Sequence, residues 1–468
     1  MGFELTKEQV QTIWTNNANK RKKQAKLDEY CNGDQDILDA TSTRYDGQTR
    51  NLVVTNWIDY VVRKHTGFVI GTPATYSFRD GSPDEEIQKK SLIEIKDLFR
   101  KNDVPSLDIE HFRNSLIYGE SVEVHWVEDG SIGITAYSPL EWAFLYNEFG
   151  DIVVAIHKST LAIGTYYGGN ILDKPVSLYT VYDDSRIIVY SSDSESDNVQ
   201  GWVEVSNKAH HYKQLPVVYF SVSSHGEPFI TDALISQQDT YNNIRSLNAD
   251  GVEYNIDALL VLIGYEPDAL LEKDTDGITY LEKLRQERIL SLKEGSQAEF
   301  LLKGSEKDNV EFDLKLSRDA IHMMGSLADT EAILGLTGQT SGIALKMKLQ
   351  PQIDQATIFT SYFEPALRKR IELVNIIRKT HKKSQLLDYD ITFTLNIPVH
   401  EIEIWQNVGL LDHLLTRVDQ LKLIPSIDDP EKAAEAKAKE EKAELESAAV
   451  LGLAVGGEDD VVEEEIEE

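Results

Sequence analysis

The run Gly335-Leu336-Thr337-Gly338-Gln339-Thr340-Ser341-Gly342 sets three glycines and three small hydroxyl residues between two segments of helical character, inside Ile333–Leu349. Glycine and Ser/Thr favour turns over helix, so two long helices must meet here through a polar loop. The helix after the loop is expected over 343–381 and carries Pro351 and Pro365 in its interior. Each interior proline removes a backbone hydrogen bond, at a cost of about 3 kcal/mol. The segment therefore reads as one bent helix or as three shorter ones.

The segments before the loop make a second constraint. Residues 232–256 read as a helix with a narrow apolar stripe (Leu234, Tyr241, Ile244, Leu247, Val252) and polar residues elsewhere, among them Gln237, Gln238, Asp239, Asn242, Asn243 and Asn248. A second such helix is expected over 314–334, with Leu316, Met323, Leu327 and Leu334. Helices so poorly furnished are not stable alone and need neighbours. The expectation is that they leave polar and apolar edges for other subunits to cover. Between them lies an insertion: a strand at Ala258–Ile263, a charged helix near 279–288 and a strand at Ala298–Leu302.

Upstream, helical spacing predicts helices over 5–31 and 51–66, and two more within 85–117 separated by Asn102-Asp103. From 121 to 223 the texture changes to short alternating strands: Ser121–Val127 followed by Asp129-Gly130, then Ile132–Ala136, Ile152–His157, Val176–Tyr182, Arg186–Tyr190, Trp202–Val205 and Val217–Val222. The fold class is α+β, mainly α-helical, with an antiparallel β-rich block in helical surroundings.

The phrase Ser341-Gly342-Ile343-Ala344-Leu345-Lys346-Met347-Lys348-Leu349, leading into a proline-bearing helix, resembles the loop-and-helix junction of siphovirus-type portal proteins, the head-to-tail connectors of tailed double-stranded-DNA bacteriophages. Asn51–Trp57 through Val69-Ile70-Gly71-Thr72-Pro73 to Ser77 is similar to that family's N-terminal entry, and Ile424–Pro430 with its acidic helix is similar to its C-terminal region. The resemblance implies a ring-forming subunit with wing, stem, clip and crown regions. It places the wing at 1–231, stem helices at 232–256 and 314–334, the clip at 257–313, the channel loop at 335–342, a long kinked wing helix at 343–384, a crown-like region at 385–447 and an acidic disordered tail at 448–468. It further implies a dodecameric homo-oligomer at a capsid vertex, assembled in the host cytoplasm, through which DNA is packaged and ejected. Its partners would be terminase, the head-completion or neck adaptor, the major capsid and scaffolding proteins, and double-stranded DNA passing without sequence specificity. The loop residues Leu336, Thr337, Gly338, Gln339, Thr340, Ser341 and Gly342 would touch that DNA. Lys346 and Lys348 would guide it or pair with neighbouring subunits. The charged clip face Glu282, Lys283, Arg285, Glu287 and Arg288 would dock the partners.

Charge bears on the same question. The net charge of −32 argues against a protein that grips DNA through a basic surface, since Lys/Arg–phosphate contacts dominate such affinity. An acidic wall suits a conduit, although strong charge also simply maintains solubility. Residues 428–468 hold 16 Asp/Glu against 4 Lys, a net of −12. A basic cluster, Lys20-Arg21-Lys22-Lys23 with Lys26, reads as a solvated helix face.

Catalytic signatures are missing from the sequence. There is no phosphate loop, zinc helix or nucleophile elbow. The neighbours His210-His211 would point apart on a strand. Asp183-Asp184 and Asp428-Asp429 have no complementary base nearby, and Asp274-Thr275-Asp276-Gly277 lacks the acid a calcium loop needs at its twelfth position, which is Arg285. Cys31 is the single cysteine, so neither an intrachain disulfide nor a cysteine metal site forms. No catalytic residue, cofactor, metal or membrane partner is expected. Two other classes stay open: an acidic cytoplasmic oligomeric scaffold, and an enzyme with an unrecognised site in the β-rich block.

Overall fold

A computed structural model describes residues 5–40, 49–78, 85–128, 130–167, 170–193, 199–256, 259–263, 297–301, 307–328, 342–397, 416–422, 433–434, 436–440 and 442. The chain divides into two compact units, residues 1–334 with 348–396, and residues 335–347 with 397–468. The architecture is α+β.

In the first unit the N-terminal helices are α1 (Lys7–Asn16) and α2 (Ala18–Asn32). A capping box starts α1: Thr6 and Gln9 exchange side-chain-to-backbone hydrogen bonds. The single helix expected over 5–31 is broken at Asn17, whose side-chain amide donates to the Ile13 carbonyl at 2.9 Å and caps α1. The basic cluster on α2 is largely neutralised within the chain. Lys20 pairs with the buried Glu120 at 2.6 Å, Arg21 lies 3.6 Å over the Trp14 ring, and Lys26 pairs with Asp36.

Helix α3 (Trp57–Val69) begins six residues later than the expected 51, with Asn56 accepting from the Asp59 N–H at 3.1 Å as its cap. Strand β1 (Thr75–Phe78) follows, then α4 (Glu85–Lys101) and α5 (Val104–Tyr118), which flank Asn102-Asp103 as the sequence suggests.

The β-rich block contains β2 (Ser121–Glu128), β3 (Ser131–Tyr137), β4 (Trp142–Tyr146), β5 (Ile152–Leu161), β6 (Tyr166–Tyr167), β7 (Asn170–Ile171), β8 (Val176–Tyr182), β9 (Arg186–Asp193), β10 (Val203–Ala209) and β11 (Val217–Phe220). Five strands form one antiparallel sheet in the order β10-β9-β8-β5-β4, and three form another, β11-β2-β3. Alternation decides the layers. Val154, Ile156, Tyr179 and Val181 of the larger sheet pack with Val10 of α1, while Trp142, Phe144, Ala155 and Tyr182 pack against Val122, Val124 and Val217 of the smaller sheet.

Three further helices follow: α6 (Asp232–Ile256), α7 (Lys307–Met324) and α8 (Gly342–Thr380). Between α6 and α7 run β12 (Leu259–Ile263) and β13 (Gln297–Leu301), paired antiparallel from Leu259↔Leu301 to Ile263↔Gln297. The second helix thus spans 307–324, not 314–334. Gly325 and the left-handed Ser326 (φ 49°) end it, and the Leu327 N–H returns to the His322 carbonyl at 2.9 Å. Helix α8 is continuous through Pro351 and Pro365, so the reading as three shorter helices falls. Beyond it, β14 (Tyr389–Thr392) pairs antiparallel with β1 and returns the chain to its start. In the second unit the described elements include α9 (Arg417–Lys422).

Candidate functional site

Helices α6 and α7 pack together, joined at one end through the β12–β13 pair. The polar side of α6 has an internal use that sequence spacing does not reveal. Gln238, Asn242, Ser246 and Asp250 stand four residues apart on one face, and the extended segment 51–57 lies along them. The Trp57 N–H donates to Gln238 Oε1 at 2.9 Å, Thr55 N–H to Asn242 Oδ1 at 3.0 Å, Val53 N–H to Ser246 Oγ at 2.9 Å and Asn51 N–H to Asp250 Oδ1 at 2.7 Å. Four helical residues rise about 6 Å and two strand residues about 6.7 Å, so every fourth side chain meets every second N–H. The helix substitutes for a neighbouring strand. This corrects the expectation that α6's polar edge waits for another subunit: Gln238, Asn242 and Ser246 are fully buried inside one chain. It also explains why helix α3 cannot begin at 51.

Trp57 then clamps the pair, its ring 5.8 Å from Tyr241 on α6 and 5.4 Å from His322 on α7. Among the residues the clamp leaves uncovered is an apolar set. On α7, Phe312, Leu316 and Met323 are 64%, 58% and 77% exposed. At 100° per residue they fall within about 40° of one another, a single stripe.

Helix α8 carries a buried charge centre. The Arg370 side chain is fully buried; its Nε donates to Glu123 Oε1 at 3.0 Å and its Nη2 to Glu123 Oε2 at 2.7 Å. Arg370 Nη1 also lies 2.7 Å from Asp108 Oδ1, an ion-pair contact outside hydrogen-bond geometry. Because a carboxylate only accepts, the imidazoles facing Glu123 donate: His111 Nε2 at 3.1 Å and His125 Nε2 at 2.8 Å. With Nε2–H committed to Glu123, His111 Nδ1 is left to accept from the Ser121 hydroxyl at 2.9 Å. His111 stacks on Phe220 at 4.1 Å.

Burial works against both ions of the central pair. Even so, Arg370, His111 and His125 hold Glu123 well below the usual carboxylate range, while Asp108 and Glu123 hold Arg370 well above its ordinary value. Asp108 moves the other way: burial pushes it up and its one contact with Arg370 offsets only part. The centre binds α8 to β2 and α5 as a structural anchor.

The sequence-predicted functional residues fall unevenly on this frame. Channel-loop residues 336–341 and clip residues Glu282, Lys283, Arg285, Glu287 and Arg288 lie outside the described residues, while Gly342 is the first residue of α8. Lys346 is on the α8 backbone with its side chain outside the described ones; Lys348 is exposed and already holds an internal interaction. Among the described residues no cluster of metal-ligating side chains occurs, and no helix is long and apolar enough to cross a membrane.

Among curated proteins none matches this sequence. Among solved structures, a chain from the neck of an empty GTA particle, computed with C6 symmetry, superposes with a TM-score of 0.44 at 11% identity, covering 78% of this chain and 89% of that one. The family model described as phage portal protein, SPP1 Gp6-like, matches residues 10–447. With nearly its whole length accounted for, the chain belongs to the SPP1 Gp6-like phage portal protein family.

Proposed function

We propose that the chain is the subunit of a closed ring, dodecameric by resemblance, set at one capsid vertex and conducting double-stranded DNA inward during packaging and outward at ejection. The observation that carries this reading is the stripe Phe312, Leu316 and Met323: a helix packed on one side against α6 and bare of cover on another. Removing three such side chains from water favours association by roughly 1.5–3 kcal/mol each, and repetition around a ring closes every stripe. The charge of −32 supports a conduit, because a wall that repels phosphate lets the duplex slide.

In this reading α6 and α7 are the stem pair. The residues between them, 257–306, form the clip, whose charged face docks terminase and later the neck adaptor, and 335–342 is the channel loop. Its neutral side chains Thr337, Gln339 and Thr340 touch phosphates without holding them. Translocation draws on a partner's nucleotide hydrolysis, since this sequence carries no phosphate loop. The purified full chain should form closed rings with a central hole by native mass spectrometry and electron microscopy; a monomer at every concentration and salt would overturn the reading. Replacing Gly338 and Gly342 with proline should leave rings intact and lower the DNA content of assembled capsids, and normal content would reduce the loop to a connector.

A further inference from the structure

A second surface, away from the stem pair, combines an exposed tryptophan with surplus positive charge. Between α4, the β2–β3 hairpin and the C-terminal turn of α8 lies a groove of about 510 Å³. Trp126 lines it, 44% exposed, the most exposed of the described tryptophans. The ring is held in place for contact rather than left loose. Its Nε1–H donates to Thr135 Oγ1 at 3.0 Å, and it lies across Gly133, its cross-strand neighbour, where a Cβ would come within 2.1 Å of the indole. Glycine at 133 is what lets the indole lie flat.

The charges around the ring do not cancel. Of the two lining carboxylates, Glu94 pairs with Arg378 at 3.0 Å and Asp97 with Arg100 at 3.1 Å. Lys101 and Lys383 also line the groove, and neither has an ion-pair partner among the described residues. Lys379 and Lys382 sit on the same turn as Lys383. That turn is fixed by backbone bonds from Lys382 N–H to the Lys379 carbonyl at 3.0 Å and from Lys383 N–H to the Arg378 carbonyl at 2.8 Å. Thus a chain of net charge −32 keeps a local cationic surplus beside an anchored aromatic face.

We propose that this groove docks an acidic polypeptide segment of a partner protein, one apolar side chain resting on Trp126 and flanking carboxylates on Lys101 and Lys383. Three observations favour a peptide over a nucleic acid backbone. The groove has the volume of a few side chains. Its own Glu94 and Asp97 would face an unbroken run of phosphates, whereas a peptide can space its carboxylates around them. The field of the whole chain repels a long polyanion. The proposal stands independently of the portal reading.

The test uses the full chain and, as probe, a short labelled peptide of glutamates and isoleucines, followed by fluorescence anisotropy. Saturable binding is expected, weakening as salt rises and vanishing for the analogue with glutamine in place of glutamate. The double change Lys101→Glu with Lys383→Glu should weaken it about tenfold at an unchanged melting temperature, two exposed charge contacts being of that size. Trp126→Ala should weaken it without altering the salt dependence. The proposal is overturned by no saturable binding to the wild-type chain, by undiminished binding in either variant, or by a short DNA duplex that displaces the peptide and binds more tightly.

Discussion

Helices α7 and α8 contrast in what completes them. In the second half of α8, Leu367, Ile371, Leu373, Val374 and Ile377 are buried, and the charge that shares their depth, Arg370, is matched by Glu123 and Asp108. Among the described side chains of α7, Ile321 and Ser317 are the buried ones, while Phe312, Leu316 and Met323 face out. From Leu367 onward the inward face of α8 finds its partners inside the chain, although Met347, Ile358 and Tyr362 earlier on the helix stay exposed; α7 meets the interior through α6 and Trp57 and leaves its stripe bare. A buried guanidinium is tolerable because its carboxylates are supplied by the same chain, so the anchor is set before any assembly. An exposed stripe is tolerable only if something outside the chain covers it. The difference separates what folding must settle from what association must settle.

The largest way to break this contrast is Arg370→Met. It strips the cation from two buried carboxylates, and the expected loss is about 3–5 kcal/mol in urea unfolding of the chain. Adding Glu123→Gln should recover part of it, because the uncompensated charge, not the missing contact, does most of the damage. A loss under about 1 kcal/mol would mean that water already reaches the centre and that α8 is no more self-sufficient than α7.

A smaller effect is expected where α6 meets the extended segment. Asn242→Leu keeps the volume and removes the acceptor for the part-buried Thr55 N–H together with the bonds to Gln35 and Gln238, which should cost about 2 kcal/mol in the same unfolding measurement. If stability is unchanged, the ladder along α6 is incidental and its polar side returns to the class of surfaces awaiting a partner.

These two predictions mark where the sequence was legible and where it was not. Periodicity placed seven of the ten strands described in the β-rich block and the break at Asn102-Asp103, because both depend on neighbours within a few residues. It placed α6 at 232–256 for the same reason. It misjudged the polar side of α6, because Asn242 and Thr55 are 187 positions apart and no local pattern links them. The start of α3 was missed through the same distant contact. Arg370 and Glu123, 247 positions apart, were invisible individually: an arginine in a helix and a glutamate in a strand look like surface residues until the fold closes over them. Strand β4 was missed because both its faces are covered, Trp142 and Phe144 on one side and Ala143 on the other, so no apolar–polar alternation shows in its sequence. Of the candidate site, the helix pair was legible as underfurnished helices, and the exposed α7 stripe carries Leu316 and Met323 from the expected set. Phe312 was not, since the helix begins earlier than its pattern suggests.

A third prediction concerns the point where the end of α7 meets the core. His65 is buried, and its Nε2 faces the Gly325 carbonyl at 2.6 Å, at the residue that ends α7. Burial pushes the imidazole down to about 4, the bond to Gly325 opposing it. The unfolded chain therefore binds more protons between the ordinary histidine value and about 4, and stability falls as pH drops through that window. Between pH 7 and pH 5 this group should cost about 2 kcal/mol. His65→Gln keeps a donor and does not titrate, so its stability difference between the two pH values should shrink by about that amount. An equal difference in both proteins would place the acid sensitivity elsewhere.

The smallest effect on the chain itself is expected at its most exposed apolar stripe, and that smallness is the point of the experiment. Phe312 and Leu316 surrender little surface on folding, so the double change to serine should alter unfolding of the isolated chain by no more than about 0.5 kcal/mol. The same change removes two of the three side chains offered to a neighbour, and each is worth roughly 1.5–3 kcal/mol if fully covered. Assembly should therefore fail at concentrations where the wild-type chain is oligomeric, which sedimentation velocity at matched concentration and salt reads directly. The two measurements answer different questions. Lost assembly with unchanged unfolding assigns the stripe to association, as the contrast with α8 requires. Unfolding that worsens by about 2 kcal/mol or more would mean that the stripe is covered within the chain, and α7 would join α8 among the helices that folding alone completes.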